Sequence, residues 1–195
     1  MVEIRWHGRR GQGTTFACRL LALAQLGAGR GVQALAEYGP EATGAPMRAY
    51  NRVDSRPIRR HDGVRAPAVV VVLDPALVPE GGVADGLGAR GLLLVNWAGA
   101  GGEAAVGAET GFGGRIVAVD ASALARRAGS RFANTVLVGA LAALLGEPGP
   151  DDLDRAARAL FAPPEQAALA AARRALALGI GSMAGRERGD VPWSA

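Results

Sequence analysis

Apolar and polar positions along this chain predict strands interleaved with helices. Residues 2–6 read as a first strand, and Phe16, Leu20, Leu21 and Ala24 recur at helical spacing over 14–26, a run ended by Gly27 and Gly29. Residues 32–38 read as a second strand. Residues 46–54 alternate, with Met47, Ala49, Asn51 and Val53 on one side and Arg48, Tyr50 and Arg52 on the other, which predicts a third. Asp54-Ser55-Arg56-Pro57 is turn chemistry, so 57–60 are expected to return as a short hairpin arm. The unbroken apolar run 68–73 marks a strand buried on both faces, and 91–95 and 115–119 read as two more strands.

Four helical segments close the pattern. Asp120, Ser122 and 124–128 predict a short capped helix, and 133–145 a strongly apolar one ended by Gly146 and Pro148. An amphipathic helix begins at Pro150, with Leu153, Ala156, Ala157 and Leu160 on one face and Asp151 and Asp152 where the helix dipole favours acids. The last helix spans 164–178. Glycine-rich 99–114 reads as a loop, and 181–195 as a polar, flexible tail. The expected fold class is therefore α/β: a single three-layer domain over 1–180 with a mostly parallel, Rossmann-like sheet. Residues 38–60 break the rhythm and predict an antiparallel hairpin addition. That arm, carrying Tyr38, Met47, Tyr50, Arg48, Arg52, Arg56, Arg59 and Arg60, has the residue types enriched at interfaces and is expected to dock on a partner.

Composition narrows the chemistry. The chain has 195 residues, 49% of them hydrophobic, which is enough for a core without disulfide or metal help. No apolar run reaches the roughly 18–20 residues of a membrane span, and no signal-peptide pattern opens the chain, so a cytoplasmic location is expected. The single cysteine, Cys18, rules out an intrachain disulfide or an all-cysteine cluster, and with two histidines a zinc site is not expected. All 22 basic residues are arginine, which excludes a Schiff-base or Walker lysine. The net charge of +4 does not read as nucleic-acid binding, because the arginines are scattered and aromatics are only 5%. An anionic cofactor or an acidic partner accounts for it equally well.

The candidate chemistry sits in the turn after the first strand. Gly8, Gly11 and Gly13 frame Arg9, Arg10 and Gln12 ahead of Thr14, where the first helix starts. Glycines let the backbone approach a ligand there, and the first N–H groups of the helix point at negative charge. Gly8, Arg9, Gly11, Gln12, Gly13 and Thr14 are thus the candidate cofactor-binding residues; no catalytic residue and no metal ligand is assigned. The glycine order is G-x-x-G-x-G, not the dinucleotide G-x-G-x-x-G, but Glu37 lies where a ribose-binding acid would sit and keeps a freestanding NAD-dependent enzyme as the alternative. A ligand-free structural subunit is a further alternative. His7 to Gly13, Asp74, Asn96, Trp97 and Asp120 all follow predicted strands and are expected to face one crevice. His7 is read as a loop-orienting side chain, His61 as exposed, Cys18 as a core packer, and Asp74, Asp120 and Asn134 as capping or packing residues.

Ile4-Arg5-Trp6-His7-Gly8, Gly11-Gln12-Gly13, Gly39-Pro40-Glu41-Ala42-Thr43-Gly44-Ala45-Pro46 and Tyr50-Asn51-Arg52-Val53-Asp54-Ser55-Arg56-Pro57-Ile58 stand in one order. Val70-Val71-Val72-Leu73-Asp74-Pro75 and Ala133-Asn134-Thr135-Val136-Leu137-Val138-Gly139-Ala140-Leu141 follow. Together they resemble the gamma subunit of 2-oxoacid:ferredoxin oxidoreductases of the pyruvate and ketoisovalerate type. Arg10 stands where that family usually has glycine, and no arginine lies at or next to Thr43, where the family commonly has one. The resemblance implies a subunit of an enzyme that oxidatively decarboxylates a 2-oxoacid to acyl-CoA and reduces ferredoxin. It also implies a chain inactive alone, with thiamine diphosphate, Mg and iron–sulfur clusters held by alpha, beta and delta-type partner subunits. Coenzyme A is the cofactor this chain is expected to help hold, and self-association through the docking arm is expected when partners are absent. The 2-oxoacid itself is not legible.

Overall fold

The computed structural model describes residues 1–37, 44–161 and 165–187. Six strands form one mixed sheet in the order β2-β3-β1-β4-β5-β6. The strands are β1 Val2–Arg9, β2 Gly31–Glu37, β3 Pro46–Asp54, β4 Val69–Val72, β5 Leu92–Asn96 and β6 Arg115–Val119. The helices are α1 Thr14–Gly27, α2 Gly102–Thr110, α3 Ala121–Ala128, α4 Asn134–Leu145, α5 Pro150–Leu160 and α6 Gln166–Ser182. β1, β4, β5 and β6 pair in parallel, and β3 runs antiparallel to both β1 and β2. The α/β class, the mostly parallel sheet and the antiparallel addition are as the sequence predicts.

Apolar patterning explains the layers. The α4 sequence is apolar all round, so it is buried along nearly its whole length at the centre of a helical layer with α1, α3, α5 and α6. That layer packs on the face of the sheet carrying Val2, Ile4, Trp6, Val69, Val71, Leu92 and Leu94. The alternate residues Val70, Val72, Leu93 and Val95 pack on the other face against Leu77, Val78, Val83, Leu87 and, from α2, Val106. β4 and β5 are therefore buried on both faces, and their run of valines and leucines follows from it.

Four expectations change. β1 continues through His7, Gly8 and Arg9, because β3 pairs with it to the end, Arg9 opposite Pro46. Residues 102–110, read as loop from their glycines, form α2: Glu103, Ala104, Ala105, Val106 and Ala108 are competent helix formers, and glycines in left-handed conformation close it at both ends. The last helix reaches Ser182, so the expected tail begins inside it, and Arg186 is then held by Glu103. The expected return of the arm over 57–60 does not form among the described residues. Residues 57–60 form no strand, and β3 is an interior strand between β2 and β1. Arg52, read as a contact on that arm, is fully buried and bonded to Glu3 at 2.8 Å and to the Asp62 carbonyl at 2.6 Å. Tyr38 and residues 39–43 of the quoted loop lie outside the described residues.

The polar member of the inward side of β3 is explained by its partners. Asn51 accepts from Trp6 Nε1 at 2.7 Å and donates to the Cys18 carbonyl at 2.9 Å, joining β3, β1 and α1. A buried amide so satisfied costs little and fixes register. Cys18 is a core packer, its thiol pushed up to about 12 by burial.

Candidate functional site

The turn between β1 and α1 is built by its own side chains. Gln12 Oε1 accepts from the Arg9 N–H at 2.8 Å, and the Gln12 N–H returns to the Arg9 carbonyl at 3.0 Å. Gln12 Nε2 then donates to Asp74 Oδ2 at 2.9 Å, the oxygen that also takes Arg9 Nε at 3.0 Å. Asp74 Oδ1 accepts from the Ala76 N–H at 3.0 Å, so Asp74 caps the short 3₁₀ turn Pro75–Leu77 as expected and, beyond that, ties β4's exit to the loop. Glu80 takes a second Arg9 nitrogen, which leaves that guanidinium paired with two carboxylates.

Gly11 and Gly13 hold φ of 95° and 78°, where L side chains are strained. Gly13 also lies so close to Asn134 that a Cβ there would sit 2.3 Å from Nδ2. Asn134 Nδ2 donates to the Gly13 carbonyl at 3.1 Å, and Oδ1 accepts from the Thr135 N–H at 2.8 Å. Asn134 thus joins the starts of α1 and α4 across a long stretch of sequence. α1 has Gly13 at its N-cap and no side-chain cap, so its first three N–H groups, on Thr14, Thr15 and Phe16, find no acceptor within the helix. Thr14 is fully buried, and its Oγ1 is an orphan among the described residues.

These groups open on a cavity of about 600 Å³. Its polar end is Arg10, Gly11, Gly13, Thr14, Asn134 and Arg131; its apolar end includes Phe16, Met47, Phe161, Ala168 and Ala172. Phe16 and Phe161 are tilted ring neighbours at 5.3 Å, and the Arg131 guanidinium lies over Phe132 at 4.6 Å. A second cavity of about 410 Å³ lies at the carboxyl ends of β1, β4 and β5. It shares Gly11, Arg131, Phe132 and Asn134 with the first and adds Gln12, Leu73, Asn96 and Ser122. The arrangement can hold an anion at the α1 N-terminus and an apolar body beside it.

The expected crevice is therefore only partly assembled. Gly11, Gln12 and Asn96 meet there, and Asp74 stands behind Gln12. Asp120 instead caps α3 through the Ala123 N–H at 2.8 Å, and Trp97 packs with the second apolar cluster. His7 points to the opposite face, where its Nε2 accepts from Arg5 Nε at 2.9 Å, so it does not orient the loop with its side chain. Burial first, then Arg5 and Arg48, hold His7 near a pKa of about 3, neutral at physiological pH. His61 is exposed, as read. Sequence reading missed Arg131 and the bridging role of Asn134; a polar pair flanking Phe132 at the start of an apolar helix was the available signal. Among the described residues no three His, Cys, Asp or Glu side chains stand together as a metal site.

The Pyruvate ferredoxin/flavodoxin oxidoreductase family matches residues 3–180. The chain belongs to that family. It is 46% identical over 145 residues to pyruvate synthase subunit PorC of Thermotoga maritima, covering 74% of each chain. It is 38% identical over 162 residues to the PorC subunit of Methanothermobacter marburgensis, covering 83% of this chain and 87% of that one. A crystal structure of the pyruvate oxidoreductase subunit PORC from Thermotoga maritima superposes with a TM-score of 0.79 at 40% identity, covering 92% of this chain and 95% of that one. These relatives bear out the gamma-subunit reading of a pyruvate-type oxidoreductase and not the NAD-dependent alternative. The geometry agrees with them. In a dinucleotide fold the ribose-binding acid ends the strand beside β1. Here β3 separates β2 from β1, and Glu37 bonds the Tyr50 hydroxyl on the face away from the α1 cavity. No helix among the described residues is long and apolar enough to cross a membrane.

Proposed function

We propose that this chain serves a pyruvate-type 2-oxoacid:ferredoxin oxidoreductase as its gamma subunit and helps hold coenzyme A at the α1 cavity. In that reading thiamine diphosphate, Mg and iron–sulfur clusters reside in alpha, beta and delta-type subunits, which pass electrons to ferredoxin in the cytoplasm, and this chain carries no catalytic residue. Coenzyme A, when bound, supplies the thiol that accepts the acyl group. The residues present fit its chemistry: phosphates suit the uncapped α1 N-terminus with Arg10 and Arg131, and an apolar wall lies beside them. Gly11, Gly13 and Thr14 would face the anion, Gly8 lets Thr14 pack close, and Gln12 and Arg9 hold the loop's shape through Asp74.

The observation that carries the reading is the uncapped helix start opening on a cavity that Arg10 and Arg131 also line. Calorimetric titration of the pure chain with coenzyme A, dephospho-coenzyme A and NAD tests it. Coenzyme A is expected to bind, and Arg131→Ala to weaken it roughly tenfold, the loss of one charge-assisted contact; absence of binding to both the chain and the assembled complex would overturn the reading. The pure chain is expected to show no turnover with pyruvate, coenzyme A and an electron acceptor.

A further inference from the structure

The turn between β1 and α1 holds two adjacent arginines with different fates. Arg9 is spent within the chain, its guanidinium paired with Asp74 at 3.0 Å and with Glu80. Arg10 is pinned by its backbone, whose N–H donates to the Ala45 carbonyl at 2.9 Å just ahead of β3. Its side chain is exposed and lines the cavity of about 600 Å³ at the start of α1. Among the described residues that guanidinium makes no ion pair and no hydrogen bond.

The charge on this cavity is all of one sign. Among the described residues its lining holds two charged side chains, Arg10 and Arg131, and no Asp or Glu. Elsewhere arginines share a cavity with carboxylates: Arg48 with Glu37 and Glu80, and Arg173 with Asp154. Arg131 lies over Phe132 at 4.6 Å, and no carboxylate among the described residues pairs with it. It also lines the second cavity, which Arg10 does not. The free N–H groups at the start of α1 add roughly half a positive charge. Guanidinium groups left without a carboxylate on a cavity wall are suited to phosphate, which they can take with two parallel N–H donors.

We propose that Arg10 binds a phosphomonoester set apart from the rest of the ligand's charge, the 3′-phosphate of coenzyme A, and so makes this site selective for coenzyme A over its dephospho form. The assignment rests on the coenzyme A reading and deepens it. Coenzyme A carries two separate anionic groups, a diphosphate and a monoester on its ribose. The diphosphate is matched by the start of α1 together with Arg131, carried by the linker ahead of α4, whose Asn134 is bonded to Gly13. The monoester bears a charge of about −1.5 to −2 at pH 7 and needs a donor of its own. Arg10 is the remaining unmatched cation on the wall, and Arg9 is held by its two carboxylates. Because the family usually has glycine at this position, the contact belongs to this chain in particular.

The test is calorimetric titration of the full chain, alone and in the assembled complex, with coenzyme A and with dephospho-coenzyme A. Wild type is expected to bind coenzyme A roughly tenfold more tightly than the dephospho form. Arg10→Gln should erase that preference, weakening coenzyme A roughly tenfold while dephospho-coenzyme A stays within about twofold of wild type. Arg10→Lys, which keeps the charge without the fork, should restore part of the preference. Arg131→Ala should weaken both ligands alike. The Arg10 side chain is exposed, so thermal melting of its variants should match wild type, which separates a lost contact from a lost fold. Equal affinity of wild type for the two ligands overturns the assignment, as does equal loss of both in Arg10→Gln, or a loss confined to coenzyme A in Arg131→Ala and absent in Arg10→Gln. In each of those outcomes dephospho-coenzyme A still binds, so the coenzyme A reading stands. Failure of both ligands to bind either the chain or the complex overturns that reading and the role of Arg10 with it.

Discussion

The two faces of this sheet are closed by different physics. On one, the α4 helix, apolar all round, sits at the centre of four other helices, and its contact with α6 is so close that only glycine fits. A Cβ on Gly139 would lie 2.3 Å from the Leu176 carbonyl oxygen, and one on Gly179 would lie 2.1 Å from that of Val136. On the other, β1 and β3 present charged residues, and a buried guanidinium, Arg52, recruits irregular chain where a helix would otherwise pack. The first face is finished within the chain. The second is only partly covered: Leu35, Glu37 and Arg48 stay exposed on it.

The comparison breaks most visibly if each face is attacked at its own closing device. Arg52→Ala should cost about 4 kcal/mol, because it strands Glu3 and releases residues 60–62 from the sheet. Urea unfolding of the isolated chain measures it. A loss below about 1 kcal/mol would mean that the charged face contributes little and that the helical layer alone holds the fold. Gly139→Val is expected next, at about 3 kcal/mol, since α4 and α6 must separate to admit the side chain. The same unfolding series reads it, and an unchanged midpoint would show that the helix crossing is looser than drawn.

What the sequence told follows the same division. The helical layer, β4 and β5 write themselves in apolar periodicity, and the alternation at 46–54 named the two sides of β3 correctly. Where polar groups do the closing, pattern alone misled. Arg52 and Tyr50 read alike as exposed interface residues, and only the sheet order, with β3 interior, shows that the first is sealed and the second half-open. α2 was hidden because its flanking glycines are helix caps and look like loop. The glycine turn of the candidate site was legible from strand–glycine–helix order, but Asn134 and Arg131 enter it from a helix start far along the chain, a contact no local spacing encodes.

A smaller effect distinguishes the faces by pH. His7 is held near a pKa of about 3 in the fold against 6.5 unfolded, so the unfolded state binds the extra proton as pH falls. Its contribution is complete above about pH 6.5 and is lost as pH drops from there towards 3. Between pH 7 and pH 5 the stability should fall by about 2 kcal/mol on this account alone. His7→Gln should flatten that slope. Equal slopes in wild type and variant would place the acid sensitivity elsewhere.

The smallest expected effect concerns a group that neither face uses. Thr14 Oγ1 is buried at the start of α1 with no hydrogen-bond partner among the described residues, packed against Gly8. If its purpose were structural, Thr14→Val would be destabilising. A valine of nearly the same shape removes an unsatisfied hydroxyl, and such a change is close to neutral, within about 0.5 kcal/mol. The hydroxyl's value should show instead when the cavity is filled, as a several-fold weaker coenzyme A isotherm at unchanged melting temperature. A variant that binds like wild type would assign the anion seat to the helix N–H groups and arginines alone, and a large drop in stability would return Thr14 to the core.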